Sequence, residues 1–305
     1  MAVTAADDHA RITDPVHLPA MSSIPSSREQ APLVTSEMSR PDTTPAPPFL
    51  DVAIISWQGQ HENAAHIARA LSGRAHLRVV VIYSNAAEAP ETGEGEWLQV
   101  PNDHFFGWKF RRALADVRPD ARALVIIQAD ARSDDWPALL SRCGERFAAM
   151  PNLGLWTPHV AYTPWIPRRV DIAPLAGTGL MQVARTDGIV LALSGPVLAR
   201  LRQLDYEANN LGWGIDCVAI AFSFANGLLV VRDDGDRVHH PRSRGYDSRE
   251  ASVQWRQFLQ QMTEAEKCIN AFVCRFTEDR RLTLGQRFKA LRRSVRARLR
   301  GTQLA

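Results

Sequence analysis

Three short runs of the chain hold residue types that can do chemistry. The first is Ile126-Ile127-Gln128-Ala129-Asp130, a carboxylate directly behind an apolar run. Ligands of open α/β sheets gather outside the carboxyl ends of strands, and a carboxylate there can hold a divalent cation. The bland alternative is a loop aspartate near a helix start, where Ser133 and Asp134 compete for the cap. The second run is Leu211-Gly212-Trp213-Gly214-Ile215-Asp216. Its glycines let the backbone turn tightly and approach a ligand, and the indole offers a face to a sugar ring. Asp216 falls in the first turn of an apolar helix, where it can complement the helix dipole. The third is Val238-His239-His240-Pro241-Arg242-Ser243-Arg244. Neutral imidazole ligates metals and paired arginines suit phosphate. Adjacent histidines of a strand point to opposite faces, so at most one of the two serves.

Smaller signals surround these. Lys109 and Arg112 lie three apart in a helix after Phe105-Phe106-Gly107, where a solvated helix face is the plain reading. Asp187 lies just before an apolar strand, where a turn or strand-edge role is the plain reading. Trp156, Tyr162 and Trp165 in a proline-punctuated stretch are a sugar platform or core.

The elements that must position these residues follow from hydrophobic pattern. Val52–Ile55, Leu77–Tyr83 and Ala123–Ile127 read as buried strands. Helices over Glu62–Ser72, stopped by Gly73, and over about Trp108–Asp116 separate them. Strand, helix, strand, helix, strand marks a parallel sheet with helices on its faces. Pro151, Pro158, Pro164, Pro167 and Pro174 exclude long helices and predict loops and short strands. A strand at Ile189–Leu193, a helix opened by Ser194 and Pro196, a buried helix at Ile215–Phe224 and a strand at Leu228–Val231 come next. Asp233-Asp234-Gly235-Asp236 then reads as an acidic turn, and the chain is helical from Ala251 on.

Composition bounds the function classes. The 305 residues are 45% hydrophobic and 23% charged, as in soluble globular proteins. A formal charge of +3 gives no electrostatic case for nucleic acid. Four cysteines without paired spacing predict reduced thiols. The absence of a spanning apolar run and of a secretory signal predicts a cytoplasmic protein. Residues 1–48 hold eight of the 19 prolines and no aromatic residue, which predicts disorder. The expected domains are this segment, an α/β domain over 49–250, and a helical extension over 251–305. Arg280 to Arg300 carries nine Lys or Arg and no acid, so the rest of the chain is at 3 − 9 = −6. Leu284, Phe288, Leu291, Val295 and Leu299 make one apolar stripe there, either a helix on the anionic inner membrane face or one packed on its own domain.

Taken in order, the runs resemble the nucleotide-sugar-dependent glycosyltransferases of the GT-A fold, particularly the inverting family 2 type, over residues 51–247. Val52 to Trp57, with Ser56, resembles the family's first strand and loop. Val79 to Asn85 resembles its base- and ribose-binding strand end, and Gln128-Ala129-Asp130 its metal-binding Asp-x-Asp. Gly212 to Asp216 resembles the acceptor motif Trp-Gly-x-(Glu/Asp), and the His240-Pro241 segment the late metal-ligand histidine. The resemblance implies a GT-A-like three-layer α/β/α sandwich with a mostly parallel sheet. It implies Mn²⁺ or Mg²⁺ on Asp130 and His240, and a nucleotide-sugar donor met by Ser56, Asn85, Lys109, Arg112, Gln128 and Arg244. It also implies a saccharide or glycolipid acceptor met by Trp213, Gly214 and Asp187, with Asp216 as base of an inverting displacement. Two positions depart from the pattern: Gln128 is neutral where the first acid belongs, and Ser84-Asn85 replaces a common aspartate. These departures suit a non-catalytic sugar- or partner-binding module. A metal-dependent nucleotidyltransferase shares the sheet and phosphate site without needing Gly-Trp-Gly-Ile-Asp.

Overall fold

The computed structural model of the chain describes residues 49–84, 94–161, 163, 165–241 and 247–280, and the backbone alone at Asp236. The proline-rich 1–48 segment, the basic stripe after Arg280, Asn85, Tyr162 and Arg244 lie outside the described residues.

Strand β1 (Leu50–Ser56) is buried along its whole length. Leu50, Val52 and Ile54 enter one apolar core while Ala53 and Ile55 enter another, the two-faced burial that helices on both sides of a sheet impose. β1 pairs in parallel with β2 (Leu77–Tyr83) on one side and β4 (Ala123–Gln128) on the other. Helices α1 (His61–Leu71) and α2 (Phe106–Asp116) belong to these two crossovers, and β3 (Glu96–Gln99) adds an edge strand to β2. Ala64, Ile67, Ala68 and Leu71 of α1 pack in the first core, Phe110, Ala113 and Leu114 of α2 in the second.

The second half of the chain extends the same sheet. It comprises β5 (Arg132–Ser133), α3 (Trp136–Ala149), β6 (Leu153–Ala161), α4 (Pro167–Val170), β7 (Asp171–Leu175), β8 (Leu180–Val183), β9 (Val190–Ser194), α5 (Gly195–Leu201), α6 (Ile215–Ala225) and β10 (Leu229–His239). The strand order is β3-β2-β1-β4-β9-β6-β10-β8-β7, with β5 on the end of β10. The pairings make β3, β2, β1, β4, β6, β10 and β7 run one way and β9, β8 and β5 the other. With α1 and α3 on one face and α2, α5 and α6 on the other, the architecture is the expected three-layer α/β/α sandwich. Helices α7 (Ser248–Leu259) and α8 (Glu264–Asp279) complete the second layer. Phe258 and Met262 enter its core, and buried Glu266 takes a two-pronged ion pair from Arg200 of α5 at 2.7 and 2.9 Å.

Two expectations change. β6 is a nine-residue strand that runs through Pro158, where short strands were expected. Pro158 sits opposite Asp233, where the β10 register shifts, so its missing N–H falls where the ladder is already irregular. The acidic run 233–236 is that irregularity within β10 rather than a turn that ends the strand. Its charges are held locally: Arg146 pairs with Asp233 at 3.0 Å, and Arg232 with both Asp234 and Asp171 at 2.6 Å. β10 therefore continues to His239, and that extension carries the histidines to the site.

Candidate functional site

Asp130 stands just past β4, and backbone bonds fix its loop. Ala129 N–H donates to Ile55 at 2.9 Å and Ala131 N–H to Gln128 at 2.9 Å. The Asn63 side chain of α1 reaches across and donates to the carbonyls of Ala129 and Ala131. That amide is a positioning group which strand and motif patterns do not flag. After Ala131 the chain forms β5, which pairs antiparallel with the last residues of β10, Ser133 opposite Val238 and Arg132 opposite His239. This two-residue clasp brings together residues 110 positions apart: His240 Nε2 lies 3.0 Å from Asp130 Oδ2.

The other carboxylate oxygen, Asp130 Oδ1, is buried without a hydrogen-bond partner. Leaving such an atom unsatisfied costs about 1–3 kcal/mol or more for a charged group, a cost that a bound cation removes. Among the described residues no group of three or more His, Cys, Asp or Glu side chains could hold a metal ion. The donor set at hand, a carboxylate oxygen and an imidazole, therefore fits a cation that completes its shell with phosphate oxygens and water. Gln128 adds no charge there; its amide donates to the Gly188 carbonyl at 3.3 Å and braces the turn that carries Asp187.

Asp187 borders a cavity of about 640 Å³ next to this pair. Its carboxylate accepts from Ile189 N–H at 3.2 Å and from the Thr163 side chain. Burial pushes its pKa up, while these bonds and the His240 imidazole pull it back. Arg185, Trp165, His239 and Arg237 are other walls of the cavity. Trp165 is thus a wall aromatic, whereas Trp156 is fully buried core and no platform.

The Gly-Trp-Gly-Ile-Asp run behaves differently from its reading as a ligand-approach segment. Gly212 has φ +77, and a Cβ there would meet the Phe106 ring at 2.5 Å and Gly107 N at 2.9 Å. At Gly214, the N-cap of α6 at φ +92, a Cβ would meet the Trp255 ring of α7 at 2.7 Å. Both glycines make room for protein, the Phe106 and Trp255 side chains. Trp213 is half-buried, accepts from Asn209 through its carbonyl at 3.1 Å, and is not a cavity wall. Asp216 keeps partial exposure in the first turn of α6 and is not a wall either. Burial raises its pKa and the Arg185 guanidinium opposes that rise. Residues 185 to 187 thus link the two halves: Arg185 acts on Asp216, and Asp187 is acted on by His240.

The phosphate candidates on α2 separate. Arg112 is half-exposed on the outer face of the helix, 3.6 Å from Asp116, and lines no part of the cavity. Its described ionic neighbour is Asp116, one turn on. Lys109 is 2% exposed, not solvated, and its Nζ donates to the Ser56 carbonyl at 2.6 Å. The Ser56 hydroxyl in turn bonds His61 Nδ1 at 2.8 Å, so both residues stand inside the end of β1. Burial lowers the Lys109 pKa from 10.5 to about 8. Between those values the unfolded chain holds a proton that the folded protein has released, so stability rises with pH across the window. Lys109→Met removes this dependence. Wild type should gain about 3 kcal/mol on the variant between pH 7.5 and 10.5 in urea melts. A parallel pH response of the two proteins would mean that Lys109 is not desolvated.

No protein-family model matches the chain, and neither does any curated protein sequence. Among solved structures it is similar to GalNAc-T7 crystallised with UDP, GalNAc and Mn²⁺, at 12% identity and a TM-score of 0.53. That match covers 72% of this chain and 49% of the other, so the chain spans about half the length of that protein. A mycobacterial protein aligns at 14% identity over 69% of this chain and 72% of its own, with a TM-score of 0.45. The similarity to GalNAc-T7 establishes a GT-A-like fold.

Proposed function

We propose that the chain is a glycosyltransferase that moves a sugar from a nucleoside-diphosphate donor to a saccharide or glycolipid acceptor with inversion. The observation that carries this reading is the unsatisfied Asp130 Oδ1 beside His240, at the sheet edge where strands end and a wall aromatic and carboxylate begin. The similar fold of a protein crystallised with UDP, GalNAc and Mn²⁺ supports a nucleotide sugar and a divalent cation as the first ligands to try.

Asp130 and His240 would hold the cation, which when bound neutralises charge on the departing diphosphate. The chain's own residues do the rest. Trp165 offers its face to the acceptor ring, and Asp187, fixed by Thr163 and Ile189, orients an acceptor hydroxyl. Asp216 takes the proton of that hydroxyl; support comes from a carboxyl pushed up by burial beside the wall residue Arg185. Lys109, tied to Ser56, places positive charge at the end of β1, on the side where the donor's base and phosphates would enter.

The test is a panel of nucleotide sugars, UDP-linked ones first, with Mn²⁺ and Mg²⁺ and mixed saccharide acceptors, scored by nucleoside diphosphate release. Cation-dependent release is expected. Pyrophosphate release from a nucleoside triphosphate and a sugar phosphate would replace this reading by nucleotidyl transfer. The Gln128 amide, spent on Gly188 instead of supplying a second acid, favours one further reading, a sugar-binding module. Binding of a nucleotide sugar with no release of diphosphate would select that one.

A further inference from the structure

The cavity beside Asp187 has an excess of positive charge that the proposed reaction with a neutral acceptor leaves unused. Arg232 is one wall cation, and it is compensated: Asp171 and Asp234 both bond its guanidinium. Arg185 is another and is only 5% exposed, yet the atoms that meet its guanidinium are sulfur and amide. Its Nη1 donates to Cys217 Sγ at 2.8 Å, its Nη2 to Cys274 Sγ at 2.8 Å and to Asn270 at 3.2 Å, and its Nε has no partner. Asp216 pulls on it electrostatically without joining it in an ion pair. Arg237, exposed at the mouth, has no carboxylate partner among the described residues. The other ionisable walls among the described residues are two imidazoles, His159 and His239, and one carboxylate, Asp187, whose own charge is turned toward Thr163, Ile189 and His240.

Burying a guanidinium with no carboxylate in hydrogen-bond contact is costly, and a chain tolerates it where a ligand supplies that contact. The shape of the site says what else that ligand carries. Trp165 forms one wall, with the Arg185 guanidinium 5.9 Å from its ring centroid and Arg169 at 5.1 Å. An aromatic face takes the C–H face of a pyranose, and the flanking guanidinium takes an oxyanion attached to it.

We infer that the cavity binds a saccharide bearing an oxyanion, a carboxylate or a phosphate, through Trp165, Arg185 and Arg237. On the glycosyltransferase reading, on which the word acceptor rests, this makes the acceptor an anionic sugar. The binding itself needs no donor and no turnover.

The experiment is titration calorimetry on the full chain without nucleotide, using methyl β-D-glucuronide, methyl β-D-glucoside and glucose 6-phosphate. The glucuronide differs from the glucoside only by its carboxylate. It is expected to bind at least about tenfold more tightly, and its affinity to fall with added salt. Arg237→Met, at an exposed position that does not threaten the fold, is expected to remove most of that preference while leaving glucoside affinity in place. Glucose 6-phosphate decides between the two oxyanions: whichever binds more tightly names the natural group. Affinity for the glucoside equal to that for both charged sugars overturns the inference, as does a preference that Arg237→Met leaves untouched, or no binding by either charged sugar. Competition by UDP at one site overturns it too, since the cations would then serve the donor phosphates. Failure of every nucleotide sugar to turn over would sink the transferase reading and leave this measurement standing.

Discussion

Asp130→Asn should abolish the tightening of nucleoside diphosphate binding by Mn²⁺ and lower diphosphate release roughly a thousandfold. The substitution keeps the shape of the side chain and an oxygen acceptor while removing the charge that would attract a cation. A cation that neutralises a leaving diphosphate supplies several kcal/mol of transition-state stabilisation, and each 1.36 kcal/mol is tenfold in rate. The stability change separates this role from a merely structural one. Asp130 Oδ1 has no partner to lose, and the asparagine oxygen can still accept from His240 Nε2, which lies 3.0 Å from Oδ2. The melting temperature without ligand should hold or rise. A thermal-shift series with UDP, with and without Mn²⁺, reads both effects at once, because a ligand that binds only the folded state raises the midpoint by mass action. His240→Gln should show the same loss of Mn²⁺ dependence in weaker form. An Asp130→Asn protein whose UDP response still grows with Mn²⁺ would remove this carboxylate from the cation site.

How far the sequence could have led to this site depends on how each part is encoded. β1, β2 and β4 are apolar, β-branched runs buried on both faces, and such runs announce themselves without any tertiary context. β5 is two polar residues, too short to carry a pattern, yet it is what clasps His240 onto the Asp130 loop. Order along the chain could therefore propose the Asp130–His240 pair, but only the sheet supplies its physical reason. The end of β10 was hidden because a run of aspartates and a glycine mimics a turn; the strand survives by letting that run leave the ladder while Arg146 and Arg232 bind its charges. β3 hides for a related reason, being four half-exposed residues at an edge. Helix α3 went unread although its signal is there: Trp136, Leu139, Leu140, Cys143 and Phe147 recur on one helical face. Charge placement is the opposite case. Lys109 and Arg112 look alike in sequence, and a rotation of three residues on α2 buries one and exposes the other. Gly212 and Gly214 gave a correct conformational signal, positive φ, with the wrong partner attached. What approaches those glycines is Phe106 and Trp255, residues more than 40 positions from Gly214 in either direction.

Asp216→Asn and Asp187→Asn should fail in different ways, and the contrast tests how the two carboxylates divide the work. Asp216 holds a carboxyl that burial raises, with Arg185 restraining the rise, which keeps it ionised more readily than burial alone would allow. As the base it should cost about 100- to 10,000-fold in kcat when replaced by Asn, with UDP affinity unchanged. A base must be deprotonated to act, so wild-type kcat/KM should fall as pH drops through its pKa. Because that pKa lies above the ordinary carboxylate value, the falling limb should begin at a higher pH than an unperturbed aspartate gives. The limb should vanish in Asp216→Asn. Asp187 already receives hydrogen bonds from Ile189 and Thr163 and faces His240, an arrangement suited to holding a hydroxyl in place. Its Asn variant keeps an acceptor oxygen in the same position, so acceptor KM should rise about tenfold while kcat falls far less. The cavity geometry makes the reverse outcome informative, since Asp187 is a wall residue and Asp216 is not. If Asp187→Asn removes the acid limb and Asp216→Asn retains turnover, the proton goes to Asp187, and Asp216 is left with one task, setting the charge balance around Arg185.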